Sequence, residues 1–531
     1  MGKTALIIAV LAAAVVGGIF VFARSGPPRD ETLVYRLKTD APSLDPAHLR
    51  DTTASTVAQC IFDGLVEQDP LTLEVVPQLA THWEESDDKT VYTFHLRKGI
   101  TFHNGREVTA EDFKYSMERV LDPATAANQR WVLEEIKGAD TFKGKPGQHV
   151  EGIEVLDPYT LRITLERPFA PFLAMLSMEA ASPVPREHVE KWGEDIAAHP
   201  MGCGPYRFVK WKKDAVILLE RFDDYWGDKA GIKYIKFKVV FEESVALSKY
   251  LNGDFDILPE MPPNRKQDLL RDYPDEARLW PILGVYYIGF NHTKPPFKGN
   301  VKLRQAFNYA VNKKAICDVL LEGIPQPARG VLPPGFEDTF DETLEGYPYD
   351  PDKARALLEE AGYPNGDGLP AITLQFNQSE DHARVCTAIQ NNLRDIGVNV
   401  RLKNLEWAAH LDSMQKHEPL LFRSGWLADV ADEDNFLYVL LHTDIEANYG
   451  GYSNPEYDTL IERARHSIDP EERRELYRTA NRSIVEDAAW LFVYWYRDVI
   501  LIKPYVEGWT LPLQGDFRMP LHKLRFSRPP A

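Results

Sequence analysis

Residues 372–423 read ITLQFNQSEDHARVCTAIQNNLRDIGVNVRLKNLEWAAHLDSMQKHEPLLFR, and two kinds of pattern alternate along this stretch. Short apolar runs predict strands, and the longer amphipathic runs between them predict helices. The predicted strands are 372–376, 398–402 and 420–423, and the predicted helices are about 381–396 and 407–415. Strands that alternate with helices at this spacing predict βαβ units, a mostly parallel sheet and the α/β fold class.

The chain before residue 290 has a different pattern of predicted secondary structure, with more strands and shorter helices. Residues 92–96 alternate between apolar and polar side chains, which is the period of a half-buried strand. Thr109 and Asp112 have the spacing of a capping box that begins a helix through Val120. Further strands are predicted at 33–37, 161–165, 216–219 and 234–241. The change in the pattern of predicted strands and helices near residue 290 predicts a domain boundary.

Composition and charge exclude several classes of protein. The chain has 531 residues, which corresponds to about three domains of roughly 150 residues. A hydrophobic content of 44% and a charged content of 27% are ordinary for a soluble globular protein. The net charge of -19 argues against a nucleic-acid partner, which would need clustered lysine and arginine. No GxSxG, HExxH, Walker or dinucleotide-binding motif occurs, so we expect neither an enzyme nor a cofactor nor a metal centre.

Residues 1–29 differ from the rest of the chain. Lys3 precedes an uninterrupted run of apolar or small residues from Ala5 to Ala23. A positive start followed by such a run is typical of a secretory signal peptide. The run is also long enough, at about 19 residues, to span a bilayer as an uncleaved N-terminal membrane anchor. Both alternatives export the chain from about residue 30.

The chain has four cysteines, at Cys60, Cys203, Cys317 and Cys386. In an exported protein they permit two disulfides with three possible connectivities. No CxxC pair occurs, and a chain of this size does not need covalent cross-links for stability. We therefore expect isolated buried thiols or at most one disulfide.

Several motifs follow one another in an order that resembles one known family. They are Ala41–Pro46 (APSLDP), Ile61–Val66 (IFDGLV), Tyr92–Gly105 (YTFHLRKGITFHNG) with Thr109–Asp112 (TAED), Gly202–Tyr206 (GCGPY), Asp224–Gly227 (DYWG), Arg304–Ala310 (RQAFNYA), Asp350–Ala354 (DPDKA) with Leu357–Pro364, and Gly425–Asp429 (GWLAD) with Asp434–Leu437 (DNFL). Each motif alone is weak. Together they resemble the family 5 extracellular solute-binding proteins, which include the oligopeptide- and dipeptide-binding proteins of ABC importers.

The resemblance implies a two-lobed periplasmic binding protein fold with a hinge, an additional small domain, and mixed and parallel sheets. The expected parts are lobe I at 30–75 and 205–290, the small domain at 76–204, lobe II at 291–505 and a C-terminal return to lobe I at 506–531. The turn-rich segment 289–296 fits one crossing between the lobes.

The resemblance also implies a function and partners. We expect a monomer, periplasmic or tethered to the inner membrane by residues 5–23, that captures short peptides and delivers them to an ABC importer permease. One alternative is a binder of a non-peptide solute, because the family includes proteins that bind nickel complexes, haem and oligosaccharides. An exported hydrolase, or a membrane-tethered interaction protein with the same fold, remains a further alternative.

The segment 423–429 carries the predicted binding site. In the peptide-binding members a carboxylate at the position of Asp429 receives the ligand's α-ammonium. A guanidinium at Arg423 can hold a carboxylate of the ligand through two hydrogen bonds, or can instead pair with a carboxylate of the protein. Trp426 and Gly425 are expected to complete the wall of the site.

The acidic run after Asp429 departs from the family pattern, which often has a proline there. Asp432 or Asp434 is therefore an alternative acceptor, which shares or replaces the role of Asp429. The additional negative charge is also compatible with a preference for basic peptides or for a cationic solute.

Overall fold

The computed structural model describes residues 26–49, 51–336 and 339–530. These residues form nineteen strands, which are β1 (Thr32–Leu37), β2 (Val66–Gln68), β3 (Val75–Pro77), β4 (Ala80–Glu85), β5 (Val91–Leu96), β6 (Ile153–Asp157), β7 (Thr160–Thr164), β8 (Tyr206–Lys212), β9 (Val216–Arg221), β10 (Tyr234–Val239), β11 (Ile257–Leu258), β12 (Ala277–Phe290), β13 (Gln326–Pro327), β14 (Ile372–Asn377), β15 (Val400–Leu405), β16 (Leu421–Leu427), β17 (Trp490–Ile502), β18 (Val506–Glu507) and β19 (Arg525–Phe526). Every strand predicted from the sequence is present, with ends that differ by a few residues.

The same residues form fourteen α-helices, which are α1 (Thr52–Ala58), α2 (Ala110–Leu121), α3 (Phe172–Met175), α4 (Arg186–Trp192), α5 (Glu243–Leu251), α6 (Lys266–Asp272), α7 (Val301–Ala310), α8 (Lys313–Ala315), α9 (Pro351–Glu360), α10 (Glu380–Asp395), α11 (Trp407–Gln415), α12 (Asp434–Leu441), α13 (Pro455–His466) and α14 (Pro470–Glu486). The predicted capping box of Thr109 and Asp112 is confirmed at the start of α2. It forms because the two side chains satisfy amide groups that have no partner inside the helix.

One large sheet runs through the molecule in the order β15-β14-β16-β12-β17-β11-β1-β10-β9-β8, and β13 pairs with β17. β14 is parallel to both β15 and β16, as the alternation of strands and helices predicts. β12, however, is antiparallel to both β16 and β17. β1 is also parallel to β10 and to β11. The large sheet is therefore mixed, and the α/β fold with mixed and parallel sheets that the resemblance implies is confirmed.

The two longest strands, β12 and β17, lie side by side at the centre of this sheet. β12 pairs with β17 from Ala277 to Pro281 and again from Val285 onward, and the register shifts between the two stretches. The first stretch lies on the side of β11, which pairs with Leu501 and Ile502. The second lies on the side of β16, which pairs with β12 from Gly284 to Phe290. The ladder is thus interrupted within β12, upstream of the predicted boundary at residue 290.

A second, four-stranded antiparallel sheet has the order β4-β5-β7-β6 and lies within the predicted small domain. Along β5, Tyr92, Phe94 and Leu96 are buried and the residues between them are partly exposed. Phe113 and Met117 of α2 belong to the same apolar core. The alternation seen in the sequence therefore reflects a sheet with one covered face and one solvated face.

All four cysteines are buried and free, so the alternative of disulfides is wrong and that of isolated thiols is confirmed. The predicted signal peptide or anchor lies outside the described residues, apart from its last four positions. In the part of the chain that the structure describes, no helix combines the length and the apolar character that a membrane crossing requires.

Candidate functional site

The predicted site residues lie on β16 and on the loop that follows it. β16 is flanked by β14 and β12, and the chain leaves its carboxyl end through residues 428–433 to enter α12. Ligands of such sheets bind beyond the carboxyl ends of parallel strands, and β14 and β16 are parallel. The fold therefore places Arg423 within the strand and Asp429 just beyond it.

Asp429 is partly exposed, and its backbone is held on both sides. Its amide donates to Asn435 Oδ1 at 3.0 Å, and its carbonyl accepts from Gln514 Nε2 at 2.9 Å. Among the described residues, no cationic nitrogen lies within 4.0 Å of its carboxylate. Burial raises the pKa of Asp429 to about 6, which the positive charge of Arg518 opposes and the negative charge of Glu179 reinforces. The backbone is fixed, and the carboxylate is left without an ionic partner.

The acidic residues that follow are held by arginines of α13 and α14. Asp432 lies 2.6 Å from Arg473 Nη2, and Glu433 lies 3.6 Å from Arg473 Nη1. Asp434 lies 3.0 Å from Arg465 Nε. These three carboxylates stabilise the start of α12 against the neighbouring helices. The geometry therefore favours Asp429 over Asp432 and Asp434 as the acceptor of a ligand cation.

Arg423 is 8% exposed and contacts neutral groups only. Nη1 donates to Asn377 Oδ1 at 3.2 Å and Nη2 donates to Tyr496 Oη at 3.0 Å. The guanidinium lies 4.6 Å from the ring centre of Tyr286, and Nε is buried without a hydrogen-bond partner. Within the described residues no carboxylate lies within 4.0 Å of it. A buried guanidinium in this state favours an anion supplied from outside the chain.

Trp426 and Gly425 have structural contacts that explain their residue types. Trp426 Nε1 donates to Asn435 Oδ1 at 2.9 Å, and the partly exposed ring packs against the apolar core around α12 and α14. A Cβ at Gly425 would lie 2.6 Å from Tyr496 Oη and 3.3 Å from Arg423 Nη2. The absence of a side chain at Gly425 thus makes room for the contact between Tyr496 and Arg423.

Four further residues complete the site and were missed in the sequence. Asn435 accepts from both Trp426 and the amide of Asp429, so one side chain fixes the loop. Gln514 and Tyr496 come from the end of the chain, where no local motif marks them. His382, near Tyr286, has a buried Nδ1 without a partner, and burial together with the charge of Arg423 lowers its pKa well below the ordinary value. Only Asn435 lies inside a quoted motif (DNFL), which is a signal that could have identified it.

Residues 74–448 match the family described as bacterial extracellular solute-binding proteins, family 5 Middle. The periplasmic oligopeptide-binding protein OppA of Escherichia coli is 31% identical, over 96% of each chain. The heme-binding protein A of Haemophilus influenzae is 32% identical, over 91% of this chain and 90% of that one.

Two solved structures bear on the arrangement of the lobes. Haemophilus influenzae OppA in complex with the peptide RPPGFSPFR is 28% identical and covers 93% of this chain and 99% of its own, with a TM-score of 0.83. The unliganded open form of the murein tripeptide-binding protein MppA is 29% identical and covers 93% and 97%, with a TM-score of only 0.71. The identities differ by one per cent, so the lower TM-score shows that this chain resembles the unliganded open form of MppA less than it resembles the peptide complex of OppA. The chain belongs to the family 5 bacterial extracellular solute-binding proteins.

Proposed function

We propose that the protein is the substrate-binding component of an ABC importer and that it captures short peptides. One observation carries the proposal. Among the described residues, the carboxylate of Asp429 has no cation and the guanidinium of Arg423 has no anion within 4.0 Å, although Arg423 is buried and Asp429 is only partly exposed. A zwitterionic ligand supplies both missing charges, and a peptide is a zwitterion with its charges at opposite ends.

The spacing of the two charges is suited to a short peptide. Five residues lie between Arg423 and Asp429, and the six steps of extended chain correspond to at most roughly 20 Å between their Cα atoms. Their side chains shorten the gap, so a peptide of about three to five residues in extended form bridges them. The ligand's α-ammonium lies at Asp429 and its α-carboxylate at Arg423.

The cleft closes, in this proposal, between lobe I (30–75 and 205–290, with 506–531) and lobe II (291–505). The small domain (76–204) is carried with lobe I. The pairing of β12 with β17 joins the two lobes, and changes at a few torsion angles along these strands suffice for closure. The hydrogen bonds from Gln514 Nε2 to Asp429 O and from Ala431 N to Gln68 Oε1 then belong to the closed state.

The proposed place of action is the periplasm, by analogy with OppA of Escherichia coli. The protein binds its ligand without cleaving it and passes it to a permease in the inner membrane. Residues 1–29 direct export and are either removed or retained as an anchor. The intact mass of protein purified from membrane and soluble fractions distinguishes the two outcomes.

The test is calorimetric titration of refolded, ligand-stripped protein with di- to pentapeptides, each beside its N-acetylated form. We expect micromolar or tighter binding of free peptides and at least a tenfold loss on acetylation, since a charge-assisted hydrogen bond contributes about 1.5–3 kcal/mol. Asp429→Asn should show the same loss. Asp412→Asn is the matched control, because Asp412 is exposed and is paired with Lys416. Binding that is insensitive to acetylation would contradict the assignment of Asp429.

A non-peptide solute remains the second candidate, favoured by the similarity to a heme-binding protein. Tyr496 lies next to Arg423 and is partly exposed, so its ring offers a stacking surface, whereas Tyr286 and Tyr494 are buried and stack on each other. If no free peptide binds, native mass spectrometry of protein purified without refolding identifies the ligand by mass.

A further inference from the structure

A β-bulge in the small sheet brings two histidines face to face, outside the cleft between the lobes. β4 and β5 pair Ala80 with Leu96 and then His82 with His95, so Thr81 is the additional residue. A bulge of this kind opposes two residues to one and changes the direction of their side chains. The next pair, Trp83 and Phe94, packs into the core. His82 is therefore directed to the opposite, solvated face of the sheet.

Glu84 joins the histidines on that face because it lies two residues after His82 in the same strand. The rings of His82 and His95 are stacked, with centres 4.4 Å apart and planes at 12°. Glu84 Oε1 lies 3.4 Å from His95 Nε2, which is buried and lacks a hydrogen-bond partner. One nitrogen from each histidine and one oxygen from Glu84 all lie within 4.8 Å of one another.

The hydrogen bonds of Thr81 determine which nitrogen of His82 carries its proton when the ring is neutral. Thr81 Oγ1 donates its only hydrogen to the carbonyl of His95 at 3.0 Å. It therefore accepts at its 2.9 Å contact with His82 Nδ1, and Nδ1 must carry the hydrogen. This leaves a lone pair on His82 Nε2. Histidines that bind metal ions commonly donate their other nitrogen in this way, which fixes the ring orientation.

We propose that His82, Glu84 and His95 bind a zinc ion on the solvated face of the small sheet. Two imidazoles and one carboxylate form a known zinc ligand set, with Zn–N distances of about 2.0–2.1 Å and a fourth position open to water. Binding would require the exposed side chains of His82 and Glu84 to rotate, because the candidate ligand atoms lie up to 4.8 Å apart. The imidazoles select zinc and neighbouring transition metals over calcium and magnesium.

The ion would connect β4 and β5 at the bulge, where their ladder is irregular. No residue of this site takes part in the peptide contacts proposed above. The zinc site therefore does not depend on the proposed function, and it can be tested in protein that is free of any peptide.

The experiment uses the tag-free full chain after treatment with EDTA, titrated with Zn²⁺ by calorimetry and with Co²⁺ by visible absorption. We expect one site, which is weakened at least tenfold in His82→Ala and in His95→Ala. Thr81→Val should lower the affinity about tenfold, because it removes the support of His82 while retaining all three ligands. Excess Zn²⁺ should raise the melting temperature of the parent protein by mass action, but not that of the double histidine variant.

His149→Ala is the matched control, because His149 is exposed and also contacts a glutamate, Glu118, at 3.1 Å. It should leave metal binding unchanged. Equal zinc affinity in the parent and in His82→Ala would overturn the proposal, as would the absence of binding or an equal loss in the control. Circular dichroism of each variant separates loss of the site from loss of the fold.

Discussion

Asp429 and Asp434 are five residues apart and have the same charge, but their partners differ. Burial raises the pKa of each to about 6. Asp434 lies 3.0 Å from Arg465 Nε and accepts from Tyr477 Oη at 3.2 Å. The carboxylate of Asp429 has no cation within 4.0 Å in the described part of the chain, and Arg518 Nη2 donates instead to the backbone carbonyl of Asp429 at 3.4 Å. A buried charge that has its partner within the chain supports the fold, whereas one that lacks a partner is available to a ligand.

The two arginines repeat this contrast. Arg465 pairs with Asp434 and with Glu135 at 3.5 Å, which connects α13 to the small domain. Arg423 has only neutral contacts, although it is about equally buried. Among the described residues around α12, Asp434 and Arg465 thus form a satisfied pair, whereas the carboxylate of Asp429 and the guanidinium of Arg423 have no ionic partner within 4.0 Å. This difference in partners predicts which changes affect stability and which affect binding.

The largest expected effect is on stability and follows from breaking the satisfied pair. Asp434→Ala leaves Arg465 buried and only partly compensated by Glu135, so the free energy of unfolding should fall by about 3–5 kcal/mol. Urea denaturation measures this loss. Peptide affinity of the folded fraction should change little. A stable Asp434→Ala variant that binds no peptide would contradict this expectation. It would indicate that Asp434 binds the ligand and does not mainly stabilise the fold.

The next effect is on binding and comes from Asp429→Asn. Peptide affinity should fall about 10- to 100-fold, because the ammonium loses a charge-assisted hydrogen bond. Ligand-free stability at neutral pH should not fall, because burial raises the folded-state pKa of Asp429 to about 6, above the ordinary value of an aspartate. The ionised carboxylate thus destabilises the fold above about pH 6. Thermal melts without ligand test this, and a lower melting temperature would indicate a structural role.

A smaller effect is the dependence of peptide affinity on pH. The ammonium of a bound ligand favours the charged form of Asp429, so its pKa is lower in the complex than in the free protein. Affinity should therefore fall as the pH drops through about 6, by up to tenfold per unit. The charges of Arg518 and Glu179 act on the same carboxylate and contribute to the pKa that Asp429 has in the free protein. Titrations at pH 5 and pH 7.5 measure the effect, and the Asp429→Asn variant should lack most of it.

The smallest effect concerns a half-exposed pair between the small domain and α13. Arg167 lies 3.1 Å from Glu462, with half of its side chain exposed. Exposed pairs contribute about 0.2–1 kcal/mol. Arg167→Ala should therefore weaken peptide binding less than about fivefold, through a less stable closed state. Equal loss in Arg167→Ala and Asp429→Asn would remove the distinction between structural and ligand-binding charges.

Most local elements of the fold were predictable because their signals are short in sequence. The capping box of Thr109 and Asp112 needs only four residues, and the strand 372–376 needs only its own pattern. β12 and β17 were missed, although they are the longest strands. They are nearly continuous apolar runs without alternation, and about 200 residues separate them. Their antiparallel pairing is one of the features that make the sheet mixed, as the resemblance implies, and the pattern of strands and helices alone predicted only its parallel part.

The site was predictable only in part. Asp429 and Arg423 lie in a motif, and the resemblance identified them as candidate ligand contacts, which the structure keeps available. No local pattern could show that Asp434 is paired with Arg465, because the two residues meet only when α12 packs against α13. Tyr496 was missed for the same reason, since β17 brings it to Arg423 from 73 positions away.

The interruption in the pairing of β12 with β17 has a mechanical consequence. A continuous ladder of hydrogen bonds makes a sheet stiff. The register shift between Pro281 and Val285 interrupts that ladder and divides the sheet into two parts. One part of the sheet contains β11, β1 and β10, and the other contains β16, β14 and β15. A rotation of one part relative to the other changes backbone torsion angles near the register shift and leaves the hydrogen bonds within each part intact. We therefore expect the sheet to bend at the register shift, while the pairing of strands within each part is kept.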